Sequence, residues 1–342
     1  IYQCDWSSDV CSSDLTICAP GNVVFTGCAT ESNNIVILGL LPQLPGAQMV
    51  TGATEHPAVL EPAKALTRLG AGVTVVPVAG DGRLDPDTVL AACTPRTRLI
   101  SVMLANNETG VLNPVAEIAA RARERGILVH TDAAQACGKI PVDAAALGVD
   151  YLTLAGHKMY APKGVGALYV REGAPVGSLA FGGGQEKKVR PGTENVPYMV
   201  ALGAAAELAR ADLAREEARQ RRLGEALLDG LRGLGREFLV AGGEVPRLPN
   251  TAMLCFRGLR AGDILSGLAG MGVGASAGAA CHAGGESLSH VLAAMRIPVE
   301  YARGAVRISW GRPTSDRDAA GLVERFGLAL SALDGRPPRE SA

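Results

Sequence analysis

Gly126-Ile-Leu-Val-His-Thr-Asp132-Ala-Ala-Gln135 and Val149-Asp-Tyr-Leu-Thr-Leu-Ala-Gly156-His157-Lys158 decide how this chain reads. Each is an apolar run of strand length that stops on a residue able to do chemistry. Asp132 and Lys158 stand 26 residues apart. An acid and a lysine placed this way suit an enzyme that holds a pyridinium ring. The carboxylate keeps the ring nitrogen protonated while the amine engages the ring's aldehyde carbon. Taken singly, a solvated aspartate at a strand end and a surface lysine are the commoner explanations, so the neighbours must decide.

Outward from this pair, short β-branched runs alternate with Ala/Leu-rich stretches. Strands are expected at 22–26, 47–51, 72–78, 98–104 and 127–131, and helices at 31–40, 57–69 and 114–125. In the last of these, Val115, Ile118, Ala119 and Ala122 recur at helical spacing. Repeated strand–helix–strand order predicts an α/β fold with a mostly parallel central sheet covered on both faces. Such sheets bind ligands beyond the carboxyl ends of their strands, where Asp132 and Lys158 fall. After Gly192 the character changes. Residues 196–234 read as one or two connecting helices, 251–256, 272–276 and 305–309 as short strands, and 316–333 as a last amphipathic helix. The expected organisation is a large domain at 16–205 and a smaller α/β C-terminal domain at 206–342.

Bulk properties narrow the function. At 342 residues and 47% hydrophobic, the chain can bury a large core. With 33 basic and 34 acidic residues, it carries no electrostatic footprint for nucleic acid. No apolar stretch approaches the roughly 20 residues that span a bilayer, so no membrane partner is expected. The 8 cysteines include no C-x-x-C pair, which argues against structural zinc. Their scatter through a long Gly- and Ala-rich chain suits a reducing cytoplasm better than a secreted disulfide scaffold.

Residues 1–15 stand apart. Asp5-Trp-Ser-Ser-Asp-Val-Cys-Ser-Ser-Asp-Leu15 has neither helical nor strand periodicity and no apolar signal-peptide core. The stretch resembles a translated sequencing adapter and reads as a non-native leader, the alternative being a disordered polar one.

Several weak signals then line up. Gly27-Cys28-Ala29-Thr30-Glu31 joins an expected strand to a helix, where free N–H groups and the helix dipole make an anion cup, although Ala-Thr-Glu also begins many ordinary helices. His56 sits at another strand end, and a lone histidine is more often structural. Asn106-Asn107-Glu108-Thr109-Gly110 ends a third strand, where a turn alone would explain Asn and Gly.

Together, Ala29-Thr30-Glu31-Ser-Asn-Asn34, His56, Asn106-Asn107-Glu108, Asp132-Ala-Ala-Gln135, Gly156-His157-Lys158, Gly182-Gly-Gly-Gln185-Glu186, Arg190-Pro-Gly-Thr193-Glu-Asn195 and Ala279-Ala280-Cys281 form a series spread over nearly the whole chain from residue 16. In kind and order it resembles the NifS/IscS-like cysteine desulfurases of the class V aminotransferase superfamily, whose close relatives are the selenocysteine lyases. The resemblance implies the fold type I of pyridoxal phosphate (PLP)-dependent transferases, with pyridoxal 5′-phosphate as cofactor. It also implies L-cysteine as substrate, alanine as product, a homodimer, and a sulfur-acceptor protein such as an iron–sulfur scaffold.

The resemblance also assigns roles. Lys158 binds the cofactor and moves protons at the substrate Cα, Asp132 pairs with the pyridine nitrogen, and His56 stacks on the ring and serves acid/base steps. Gln135 and Asn107 lie near the ring oxygen, Asn107 also touching the substrate carboxylate. Ala29, Thr30 and His157 belong to the phosphate site, and Thr193 reaches the phosphate of a neighbouring subunit. Arg307 holds the substrate carboxylate, which suits a guanidinium's paired donors; by itself it also reads as a surface ion pair. Cys281 becomes the sulfur-accepting nucleophile. Its own surroundings agree, since the small residues from Gly274 to Gly285 are unlike the large apolar neighbours of a structural cysteine. His282 beside it is placed to lower the thiol pKa when protonated.

The chain departs from the family at three places. Gly27-Cys28 stands where Ser-Gly is usual, straining the cup if that position needs a left-handed backbone. Ala155 replaces a frequent serine or threonine. An Asp-Asn-Ala-Ala-Thr-Thr-like segment that precedes the first strand in the family is missing. The rival readings are a selenocysteine lyase, another enzyme of the same fold in which Cys281 is dispensable, and an inactive truncated fragment.

Overall fold

The computed structural model describes residues 22–40, 46–277 and 288–334. Two compact units divide it. The described residues up to Ala79, with Arg83–Asn106 and Leu112–Ala214, form the first; Gly80–Gly82, Asn107–Val111 and the described residues from Arg215 form the second.

In the first unit the elements run β1 (Val23–Thr26), α1 (Ala29–Leu40), β2 (Gln48–Gly52), α2 (Pro57–Arg68), β3 (Gly72–Val76), α3 (Pro86–Ala91), β4 (Thr97–Ser101), α4 (Val115–Arg123), β5 (Leu128–Asp132), α5 (Ala144–Leu147), β6 (Tyr151–Ala155) and β7 (Gly166–Val170). The strands make a 7-stranded sheet in the order β1-β7-β6-β5-β4-β2-β3. Pairs from β3 through β6 are parallel, and β7 runs against both β6 and β1. The mostly parallel sheet predicted above is therefore present. Its central strands are largely apolar where both faces are covered, and all of β6 is buried. On one face Ile35, Val36, Ile37 and Leu40 of α1 pack with Val59 and Leu66 of α2 over Met49, Leu99, Tyr151 and Leu168.

The first 19 residues of α6 (Val196–Arg232), one unbroken helix of 37 residues, belong to this unit and the rest to the second. The second unit continues with β8 (Phe238–Val240), β9 (Thr251–Phe256), α7 (Ala261–Gly270), α8 (His290–Ala294), α9 (Val299–Ala302), β10 (Ala305–Ser309) and α10 (Asp316–Asp334). Its antiparallel sheet has the order β10-β9-β8. Phe256 anchors the core, its ring 5.3 Å from Phe238 and 5.9 Å from Phe326.

Two strand expectations change. The stretch 272–276 forms no strand: Gly272 turns left-handed (φ 74°) after α7, and only Ser276 bridges to Arg307. The strand expected at 98–104 ends as a named strand at Ser101, though Val102 and Leu104 N–H still bond to His130 and Asp132 carbonyls. Among the described residues, no helix is long and apolar enough to cross a membrane.

Candidate active site

Parallel pairing sets Asp132, the last residue of β5, opposite Thr153 of β6. The Asp132 carboxylate is 7% exposed. Asn33 Nδ2 on α1 donates to its Oδ2 at 2.7 Å, and Ala134 N donates to Oδ1 at 2.9 Å. A buried carboxylate demands such donors. Among the described residues no lysine, arginine or histidine forms an ion pair with it.

After β6 the chain makes a 3₁₀ turn over Gly156–Met159, closed by Tyr160 in the left-handed region (φ 69°). This turn presents His157 exposed and Lys158 half-buried. Glycine is required at its first position, because a Cβ on Gly156 would lie 2.8 Å from the Val165 carbonyl oxygen. Burial lowers the His157 pKa, and the charges of Lys158, Lys163 and Lys139 push it further down.

The cup at the start of α1 is built by backbone approach. Gly166 permits it, since a Cβ there would meet the Cys28 carbonyl carbon at 2.9 Å. Cys28 is not among the residues with a left-handed backbone, so the departure from Ser-Gly strains nothing. Thr30 is exposed at the helix start. Two contacts tie separated motifs to this region: Arg190 Nε reaches Glu31 Oε1 at 3.0 Å, and Phe25 N of β1 donates to Glu186 Oε2 at 2.8 Å. Thr193 is exposed.

His56 caps α2, its Nδ1 accepting from Ala58 N at 3.0 Å, which leaves Nε2 to carry the proton of a neutral ring. Gln135 is half-buried and accepts from Lys139 Nζ through both its carbonyl and Oε1. Behind His56, Glu55 is fully buried, and its Oε1 accepts from Met103 N at 2.7 Å. Strand β2 has ended at Gly52, so the side chain takes the Met103 N–H, two residues past the end of β4. Burial pushes the Glu55 carboxyl well above the usual carboxylate range; the Met103 bond opposes this and the Asp132 charge adds to it. His130, two residues before Asp132 on β5, lies between Ser101 Oγ (2.8 Å from Nδ1) and Thr153 Oγ1 (3.1 Å from Nε2). Burial lowers its pKa to about 3, so it is a neutral strut.

Asn107 and Arg307 belong to the second unit. There Arg307 Nη1 donates to the Asn107 carbonyl at 2.9 Å. Cys281, with Ala279, Ala280 and His282, lies outside the described residues. Of the other cysteines, Cys137 and Cys255 are buried, their thiols pushed by burial up to about 12; neither is a nucleophile at neutral pH.

Asn33, Glu55, His130 and Ser101 received no role in the sequence reading. Asn33 carried the clearest signal, a polar residue just before Ile35, Val36 and Ile37 on a helix whose other buried positions are largely apolar.

The residues of the first unit fit pyridoxal phosphate by their chemistry. An acid held, among the described residues, by neutral donors suits a pyridinium N–H, and a half-buried lysine stands in the turn that follows the next strand. A helix start admits close backbone approach, beside which an anion is favoured.

Known proteins give an independent comparison. The family model described as Aminotransferase class-V matches residues 15–322. A protein from Gluconacetobacter diazotrophicus named cysteine desulfurase is 45% identical over 318 residues, covering 92% of this chain and 80% of that one. The solved structure of a NifS-like protein superimposes with a TM-score of 0.88 at 32% identity, covering 96% of this chain and 87% of that one. A structure titled SspA in complex with cysteine gives a TM-score of 0.79 at 32% identity, covering 90% and 86%.

Proposed function

The chain belongs to the aminotransferase class-V family, and from that premise we propose that it is a PLP-dependent cysteine desulfurase. It would convert L-cysteine to L-alanine and leave the sulfur on Cys281 as a persulfide. The observation that carries this reading is the buried Asp132, held by Asn33 and Ala134 with no cationic partner among the described residues, next to the strand that delivers Lys158.

The first unit would hold the cofactor. Its phosphate would lie at Ala29 and Thr30 with His157, its ring nitrogen on Asp132, its face under His56, and its ring oxygen near Gln135. When bound, the cofactor supplies an electron sink for the substrate's Cα. The second unit would hold the substrate, Arg307 gripping the carboxylate with help from Asn107. Lys158 would take the proton from Cα and return it on the product side. The Cys281 thiol would take the sulfur, a new S–S bond replacing the substrate's Cβ–S bond. Cysteine plus enzyme thiol thus becomes alanine plus enzyme persulfide, and atoms balance without an added oxidant. A thiol of a sulfur-acceptor protein, such as an iron–sulfur scaffold, would then attack the outer sulfur, forming the acceptor's persulfide and releasing the Cys281 thiol. Exposed Phe181, Leu179, Val196, Tyr198 and Val200 cluster in sequence around Thr193, which supports a homodimer in which Thr193 serves the partner's phosphate. The reaction needs no membrane, and we place it in the cytoplasm.

The test compares wild type with Cys281→Ala, measuring alanine and sulfide formed from L-cysteine in the presence of dithiothreitol. Turnover should vanish in the variant while the yellow cofactor absorbance stays. Undiminished turnover would sink the reading, and activity toward selenocysteine alone would replace it with a selenocysteine lyase.

A further inference from the structure

The turn that follows Asp132 starts on its carboxylate. Asp132 Oδ1 accepts from Ala134 N at 2.9 Å. The Ala133 carbonyl accepts from Ala136 N and Cys137 N at 2.9 and 3.0 Å, and the Ala136 carbonyl accepts from Lys139 N at 3.0 Å. Gly138 is left-handed (φ 74°), and a Cβ there would lie 2.9 Å from Met159 Cγ. Its bare backbone lets this turn pack against the residue that follows Lys158. Half-buried Lys139 then folds back over Gln135: Nζ donates to the Gln135 carbonyl at 2.8 Å and to its Oε1 at 3.0 Å.

The bond to the carbonyl is an ordinary cap, of the kind lysines give the ends of many turns. The bond to the side chain fixes a direction. An ammonium has three donors and no acceptor, so only the oxygen of the Gln135 amide can face it. The amide nitrogen, with its two donors, therefore faces away from Lys139, and it has no hydrogen-bond partner among the described residues. The charge of Lys139 is also felt at His157, in the turn that carries Lys158. We propose that Lys139 is a positioning residue that fixes the polarity of Gln135, so that its amide donates to the cofactor's ring oxygen. The inference rests on the place given above to Gln135 beside that oxygen. An amide free to turn over would present its own oxygen part of the time, and two acceptors would then face each other. A fixed donor favours the anionic form of the ring oxygen.

The test is a double-mutant cycle on the full chain: wild type, Lys139→Met, Gln135→Ala and the double variant. Methionine keeps most of the stem and removes the donor and the charge. One measurement is the dissociation constant for pyridoxal phosphate, from the visible absorbance that grows as cofactor is added to the cofactor-free protein. The other is the pH at which the visible band of the loaded protein changes. With Gln135 present, Lys139→Met should weaken binding about tenfold and move that pH upward by about 1 pH unit, because the anionic oxygen loses its donor. With alanine at 135, the same substitution should change binding by less than about twofold, the limit for independent sites, and leave the pH in place. A lysine that only caps the turn, or only attracts the phosphate by charge, gives equal losses in both backgrounds. That result overturns the proposal, as does a Lys139→Met protein that behaves as wild type. Thermal melts check folding; should methionine unfold the protein, Lys139→Gln is carried through the same cycle. If Gln135 does not lie at the ring oxygen, Gln135→Ala alone leaves binding and band unchanged, and the proposal falls with that placement. Failure of the desulfurase reading shows separately, as full turnover in Cys281→Ala.

Discussion

Replacing Asn33 tests whether Asp132 is held electrostatically. Asn33 is fully buried, and its amide lies 2.7 Å from one of the two Asp132 oxygens, the Ala134 N–H being the other donor to the group among the described residues. Asn33→Ala removes a donor to a buried charge, where such bonds contribute about 1.5–3 kcal/mol. The better helix propensity of alanine returns less than about 0.7 kcal/mol. The cofactor-free protein should therefore lose about 2 kcal/mol of stability. Asn33→Leu separates charge from volume, because it refills the space but supplies no donor. If the bond matters, the two variants fall together; if the cavity matters, leucine recovers most of the loss. Urea unfolding followed by far-ultraviolet circular dichroism measures this. Titration with pyridoxal phosphate, followed by visible absorbance, should show affinity weakened about tenfold in both, the equivalent of 1.4 kcal/mol. Leucine restoring wild-type stability, or either variant lying within about 0.5 kcal/mol of wild type, would refute the reasoning.

Three further outcomes follow from the same geometry. Glu55 has a folded pKa raised above its unfolded value, so the stability it contributes is present at low pH and lost as pH rises through the folded pKa. Glu55→Gln should therefore gain on wild type as thermal melts move from pH 5 to pH 9. His130 is shifted the other way, to about 3, so its contribution is present above pH 6.5 and is lost as pH falls from there toward 3. The stability deficit of His130→Gln should shrink by up to about 1.4 kcal/mol per pH unit across that window, read by melts from pH 7 to pH 4. Gly156→Ala would drive its Cβ to 2.8 Å from the Val165 carbonyl. It should cost about 1–3 kcal/mol by overpacking and slow the reaction of Lys158 with pyridoxal phosphate, seen as slower growth of visible absorbance.

Most of the first unit's sheet was legible because its strands are short, β-branched and largely apolar runs that stand between helical periods. Strand β7 was not, because nothing in Gly166–Val170 distinguishes a strand that reverses direction from one that does not. The stretch at 272–276 misled for a related reason: its residues resemble a strand, but a left-handed Gly272 precedes them. Asp132 and Lys158 were legible since each ends its run. The residues that hold Asp132 and His56 were not, because Asn33 lies 99 positions from Asp132 and Glu55 lies 48 from Met103. Only the folded sheet brings those partners within hydrogen-bond range.

The titratable groups around the ends of β4 and β5 divide by environment. Glu55 and His130 are both fully buried, and burial opposes charge on each: the acid is pushed up and the imidazole down. Asp132 differs in being held directly, since both its oxygens accept from N–H donors. A charged Glu55 beside Asp132 would make a cation placed there face two acids, and the preference for a ring nitrogen on Asp132 would be spread over both. Burial, by opposing charge on Glu55, works against such competition, while the same side chain takes the Met103 N–H just past β4.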